Sequence, residues 1–314
     1  MRISRLIGLR LLSAIPTLLL ATLIIFLLQR LIPGDPAVSL AGEYATPERI
    51  AEIRQELGLD RSLPAQYLSW TINAFSGDLG TSLRTGEPVA NVVFDRLPLT
   101  LILALFALVV AICVGLPSGV VAASKPDSRL DRFLTTGSTL GIAIPNFWLG
   151  MMLIMVFALG LGWFPGPGGV SLAEDPAAAL YGLVLPAIAL GLVGGAEIAR
   201  QVRSAMIENL SADYIRTHRA KGVPQGVIIW RYALKNSGIP LATIIGLQVS
   251  RLLGSAVVVE AVFGLSGIGT LVVEATSQRD YPVIQAIVFV AAIVVLLVNL
   301  VVDISYRLLD PRIA

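Results

Sequence analysis

Long uncharged apolar runs alternate along this chain with short polar segments that are mostly basic. A helix needs about 20 predominantly apolar residues to cross a bilayer. Leu11–Leu28, Leu97–Ala123, a run beginning near Phe133, Leu180–Arg200, Ile239–Phe263 and Pro282–Arg307 all qualify, which predicts six transmembrane helices. The third run continues uncharged to Ala173, too far for one helix. WFPGPGG (Trp163–Gly169) is expected to end it, because Pro and Gly interrupt a helix and the aromatics suit the membrane interface. The first run follows Arg2, Arg5 and Arg10 in the manner of a secretory signal. It is longer than a signal core and no small-residue cleavage site follows it directly, so it reads as a retained anchor helix.

The connections orient the spans. Lys125, Arg129 and Arg132 lie in the loop after the second span. Arg200, Arg203, Arg216, Arg219, Lys221, Arg231 and Lys235 lie in the loop after the fourth, whereas 164–181 has no Lys or Arg. The positive-inside rule makes both termini and the two basic loops cytoplasmic and leaves the long segment 29–96 outside. That outer segment is patterned: Thr46-Pro47-Glu48 has the form of a helix start, with Ile50, Ile53 and Leu57 following at helical spacing. A second helix is expected from Pro64, carrying Tyr67, Leu68, Thr71 and Phe75, so that the segment forms an amphipathic cap.

The expected fold is an all-α polytopic membrane protein with a helical external segment between helices 1 and 2. Its parts are an N-terminal transmembrane helix (1–30), the external segment (31–95), a five-helix core (96–307) carrying a loop at 200–238, and a cytoplasmic tail (308–314). Gly115/Gly119, Gly137/Gly141 and Gly191/Gly195 provide small residues four apart, the spacing that lets helix backbones approach closely in lipid.

Composition agrees. Charged residues make up 14% of the chain, hydrophobic residues 55%, and mean hydropathy is +0.81, against roughly 25% charged in soluble domains. A net charge of +2 gives no basic excess suited to nucleic acid. Cys113 is the only cysteine, so no internal disulfide or thiolate cluster can form. His218 is the only histidine, which removes histidine-based zinc sites, and it lies in a polar loop with no nucleophile motif nearby. Lys125, Lys221 and Lys235 follow Ser124, Ala220 and Leu234, so no phosphate-binding Gly-Lys-Ser/Thr loop exists, and any ATP must be bound by another polypeptide. No catalytic, cofactor or metal site is expected in the chain itself. Arg251, halfway along the fifth span, and Glu260, nearer its outer end, are costly in lipid; each either lines a translocation path or forms a structural pair. Asp303 and Arg307 have the spacing of an i,i+4 pair at the inner end of the last span.

One polar stretch interrupts the apolar pattern: DYIRTHRAKGVPQGVIIWRY, Asp213–Tyr232. Asp213 is placed to cap a helix running through Lys221, Gly222 to end it, and a second helix is expected from Pro224 to Asn236. ADYIRTHRAKG, followed by a short helix and ALKNSGIP, resembles the cytoplasmic coupling loop of permease subunits in binding-protein-dependent ABC importers. Within these it is similar to the dipeptide/oligopeptide/nickel permeases. RLIPGDP (30–36), GDLGTSL (77–83), RLPLTL (96–101), AIPNFWLG (143–150), VVVEAVFGLSGIG (257–269), RDYPVIQ (279–285) and DPRI (310–313) extend the resemblance along nearly the whole chain.

The resemblance implies a type I importer permease in the bacterial cytoplasmic membrane, surrounded by lipid and paired with a second, homologous permease chain. It implies two separate ATP-binding subunits, which would hold ATP and Mg, and an external solute-binding protein. Asp213, Tyr214, Arg216, His218, Arg219, Ala220, Lys221 and Gly222 would form the interface with the ATPase, and Arg251 and Glu260 would be candidates for the translocation path. The implied cargo is a small peptide; nickel chelate, haem, glutathione or an oligosaccharide would suit the same architecture. His218, Ser266 and Arg251 depart from the family pattern. A secondary transporter or channel would instead show inverted repeats and a midplane ion site, and this chain shows no repeat and a single midplane charge in Arg251. An intramembrane enzyme would need a catalytic set that is missing.

Overall fold

The computed structural model describes residues 3–31, 35–41, 46–56, 58–169 and 172–309. Leu57, part of RLIPGDP and all of DPRI lie outside the described residues, as does the side chain of Arg307 with its expected pairing to Asp303. Among the described residues the regular structure is helical, apart from one isolated bridge between Thr81 and Pro88.

The chain opens with α1 (Ile3–Arg30) and the short helices α2 (Pro36–Ala41), α3 (Pro47–Glu56) and α4 (Leu63–Phe75). Thr46 Oγ1 accepts from the Arg49 amide at 3.3 Å, so the Thr-Pro-Glu start behaves as expected. α5 (Val89–Ser124) is followed by α6 (Arg129–Ala143) and α7 (Asn146–Leu153), which runs on as a π-type turn over Ile154–Gly160. After α8 (Pro176–Gly182) and α9 (Val184–Ser211) come α10 (Asp213–Ala220), α11 (Gln225–Val227) and α12 (Leu234–Asn236), the last two joined by a π-type turn over Ile228–Ala233. α13 (Gly238–Phe263), α14 (Ile268–Gln278) and α15 (Tyr281–Leu309) complete the chain.

Leu12–Arg30 of α1, α5, α9, α13 and Tyr281–Ser305 of α15 are each long and apolar enough to cross a membrane, and α6 with α7 makes a sixth span if taken as one broken crossing. The sequence reading has that span end only at WFPGPGG, but the structure breaks it earlier, with a bend of 97° between α6 and α7. Pro145 is the cause. Ile144 and Pro145 both adopt extended backbone, ψ 122° and 132°, because a residue before proline is pushed out of the helical region. An uncharged run cannot reveal such a bend by hydropathy alone.

The chain forms two compact units. One comprises Leu99–Gly269 with the chain from Leu297 onward. α9 is its centre, packed against α6, α7 and α13. A first core joins Leu103, Ala107, Leu190, Leu252, Val259 and Phe263; a second joins Val120, Ile198, Val202, Met206, Ile215, Ile228 and Ile244. α5 and α9 cross with their backbones touching. A Cβ on Gly115 would stand 2.5 Å from the Gly195 carbonyl oxygen, and one on Gly191 2.6 Å from that of Ala107. Gly137, by contrast, faces open space.

The other unit comprises Arg2–Pro98 and Thr270–Leu296. Tyr67 of α4 donates to the Leu19 carbonyl oxygen of α1 at 2.8 Å, and Trp70 and Phe75 meet Phe289 edge-on. Two motifs far apart in sequence meet here: Ser82 of GDLGTSL donates to Asp280 of RDYPVIQ at 2.5 Å, and the Leu83 amide donates to the same carboxylate at 3.2 Å.

Candidate functional sites

The polar stretch between α9 and α13 is a helical hairpin. Ala212 adopts extended backbone and is the residue that caps α10, while Asp213 is the first helical residue and makes no cap. This corrects the expected cap; as an acid in the first turn, Asp213 still complements the helix dipole. Gly222 ends the helix in the left-handed region, φ +73°, a conformation glycine adopts without steric cost. Its amide donates to the Arg219 carbonyl at 3.0 Å, and that of Val223 to His218 at 3.1 Å. Pro224 starts the second helical piece, as expected.

The hairpin is anchored by apolar burial and a polar tie. Ile215, Ile228 and Ala233 have no exposed surface and join the core made by α5, α9 and α13. Tyr214 Oη donates to Asn209 Oδ1 at 3.3 Å, and Asn209 Nδ2 to the buried Ser237 Oγ at 3.0 Å, linking the end of α9 to both arms of the hairpin. The His218 ring stacks on Tyr232 with centroids 4.0 Å apart, and Tyr214 meets it edge-on. The predicted set therefore divides. Tyr214 and His218 are half-buried between the two arms, whereas Asp213, Arg216, Arg219, Ala220, Lys221 and Gly222 are exposed together.

Next to the hairpin, Arg203 of α9 grips Asp131 of α6 through Nε and Nη2, at 2.6 and 2.7 Å. The same carboxylate accepts from the Asp127 amide and the Thr135 hydroxyl, so a two-pronged ion pair ties the α5–α6 turn to α9.

A cleft of about 290 Å³ lies along α9 and α13. Arg251 lines it and is ion-paired through Nη1 to Glu197 Oε2. Gln248, Ser250, Ser255 and Asn146 add neutral polar groups. Glu260 is not among the lining residues. It is fully buried, accepting from the Thr100 hydroxyl at 2.6 Å and the Gly269 amide at 2.7 Å, while Thr100 Oγ1 accepts from the Ile268 amide at 2.9 Å. That knot fixes the turn GLSGIG: a Cβ on Gly267 would stand 2.4 Å from Glu260 Cδ. The structure thus separates the two charges of the fifth span, one in a cleft and one in a packed corner.

Sequence reasoning treats Arg251 as the only midplane charge and passes over Glu197, although Glu197 falls within the predicted fourth span; an acid among small apolar residues was the available signal. Gln248, Asn209 and Tyr232 were missed for a different reason, since each acquires its role from a partner brought near by folding.

Residues 115–314 match the model of the family described as binding-protein-dependent transport system inner membrane component, and residues 3–104 match the model of the corresponding N-terminal region. The chain belongs to this family. It is similar to the di/tripeptide transport system permease protein DppB of Pseudomonas aeruginosa, 43% identical over 320 residues with 95% of each chain covered. It is also similar to the dipeptide transport system permease protein DppB of Alkalihalophilus pseudofirmus, 41% identical over 325 residues with 97% of each covered. The fold is shared with an inward-facing MetNI methionine ABC transporter structure at a TM-score of 0.60 and 19% identity, covering 71% of this chain and 99% of that one. This transport-system component is accordingly a multi-pass inner-membrane permease of the ABC importer type.

Proposed function

We propose that this permease forms half of the translocation path of an ATP-driven importer of small peptides and is driven through the α10–α12 hairpin by a separate ATP-binding subunit. The carrying observation is the division within the hairpin: Ile215, Ile228 and Ala233 are buried in the permease core while a polar, basic face of α10 is left exposed. Such an element is anchored well enough to transmit a push and free enough to seat in a partner. Relatives at 41% and 43% identity, named for dipeptide and di/tripeptide transport, support the cargo.

In this reading two ATP-binding subunits hold ATP and Mg, each receiving one hairpin, one from this chain and one from a homologous second permease. An external binding protein delivers the peptide. ATP binding closes the ATPase pair and opens the path outward, and hydrolysis resets it; this chain itself performs no catalysis. The basic loops and both termini are cytoplasmic, and the exposed apolar residues of α1, among them Leu12, Leu20 and Ile24, face lipid. Arg251 belongs to the path.

Gly222→Asp tests the docking. No heavy atom lies within 4 Å of a Cβ built on Gly222, and the left-handed backbone costs a non-glycine residue about 1 kcal/mol, so the variant should insert and fold. Reconstituted with its ATP-binding subunits, it is expected to lose transport. Retained transport, or transport by this chain without any ATPase, would refute the reading.

A further inference from the structure

The cleft along α9 and α13 holds a pair of opposite charges among neutral polar groups. Arg251 and Glu197 satisfy each other, so the cleft wall carries no net charge in a setting where an uncompensated one is costly. An entering ion of one sign would capture one member of the pair and strand the other. A zwitterion would exchange the one internal pair for two intermolecular ones and leave the charge balance intact.

Gln248 adds an independent pointer. It is only 6% exposed, lines the cleft, and its amide has no hydrogen-bond partner among the described residues. Its amide atoms keep solvent contact at the cleft, so they are open to a ligand, and a peptide group supplies both the acceptor and the donor that a Gln amide needs. Gly194 leaves room for that amide, since a Cβ there would stand 2.4 Å from Gln248 Nε2. The volume of about 290 Å³ lies at the lower end of small-molecule sites, roughly 300–1,000 Å³, which favours a short peptide over a long one.

We propose that this cleft binds a short zwitterionic peptide, with the Arg251 guanidinium taking its carboxylate, the Glu197 carboxylate its ammonium, and the Gln248 amide the peptide group between them. The proposal rests on the peptide-importer reading and adds the recognised feature, both free ends at once. Arg251 and Glu197 are thereby specificity residues, beyond their role in holding α13 to α9.

The test uses the complete transporter, with its second permease and ATP-binding subunits, in nanodiscs without the external binding protein. The probes are radiolabelled dialanine, N-acetyl-dialanine and dialanine amide. The unmodified complex is expected to bind dialanine at least tenfold more tightly than either blocked form. Glu197→Gln should erase the preference over the N-acetyl form and spare the preference over the amide; Arg251→Gln should do the reverse. A pair that only braces two helices would leave both preferences unchanged in both variants, and that result overturns the proposal. If a single variant fails to assemble on gel filtration, the charge-swapped Glu197→Arg/Arg251→Glu complex restores the brace. It is expected to bind dialanine at least tenfold more weakly, because Gln248 and the serines no longer match the reversed ends; unchanged binding there also overturns the proposal. Uptake into proteoliposomes with the binding protein present keeps the two readings apart. Dialanine uptake with no end-group preference in the cleft removes this proposal alone. No uptake of dialanine or any other peptide removes the peptide reading, and this proposal with it.

Discussion

Replacing Ile215 by Ala asks whether the hairpin is held rigidly by the permease core. Ile215 has no exposed surface and sits among the buried side chains of the second core. Truncating a fully buried isoleucine costs about 2–5 kcal/mol, and a value near 3 kcal/mol corresponds to roughly a hundredfold shift in a local opening equilibrium, at 1.36 kcal/mol per factor of ten. Tyr214 still ties the hairpin to Asn209, and the His218–Tyr232 stack still holds its two arms together, so the variant should remain docked on average. Its opening should nonetheless become frequent. Hydrogen exchange on the nucleotide-free transporter in nanodiscs reads this directly through the amides of Ile215, Lys221 and Val223, which donate to Ala212, Thr217 and His218. Their exchange is expected to quicken by about a hundredfold while the middle of α9 is unchanged. Transport should fall more than ATP hydrolysis, because a loosened hairpin still occupies its partner but transmits less. Unchanged exchange in the hairpin, or an equal rise throughout α9, would refute the reasoning.

The close crossing of α5 and α9 makes Gly115→Ala destabilising by about 1–3 kcal/mol through overpacking, seen as a lower melting temperature in detergent. Gly137→Ala, which meets nothing within 4 Å, should be neutral or gain up to about 1 kcal/mol of helix propensity. His218→Ala removes a ring stack worth about 0.5–1.5 kcal/mol and should reduce transport, while His218→Phe keeps the stack and should retain it; equal loss in both variants would give the imidazole a role beyond packing.

Much of the architecture is legible because lipid enforces a length rule: each predicted run of adequate length coincides with a helix or a bent helix pair. The hairpin is legible because Gly222 and Pro224 are strong punctuation that any context obeys. Asp213 was given the cap because acids are good caps, yet the chain leaves α9 one residue earlier than that assignment requires, so Ala212 takes the extended backbone. α14 went unseen because Ile268–Gln278 is short and merges with the neighbouring apolar pattern. Side-chain partnerships are the least legible layer. The pairing of Arg251 with Glu197, or of Asp131 with Arg203, depends on how helices distant in sequence are rotated against one another, and no local pattern encodes that rotation.

The glycine crossing has a mechanical consequence. Where α5 and α9 touch backbone to backbone, α9 has almost no room to translate, so any movement there must be a tilt about that point. From Gly195 to the end of α9 at Ser211 is about 24 Å at 1.5 Å per residue. A tilt of roughly 10° would therefore swing the hairpin end by about 4 Å, given that helical rise. The crossing is in effect a fulcrum and the half of α9 leading to the hairpin a lever arm, with the cleft close to the pivot. Large displacements at the hairpin then become small ones beside Arg251, a gear ratio suited to opening and closing a site without tearing it apart.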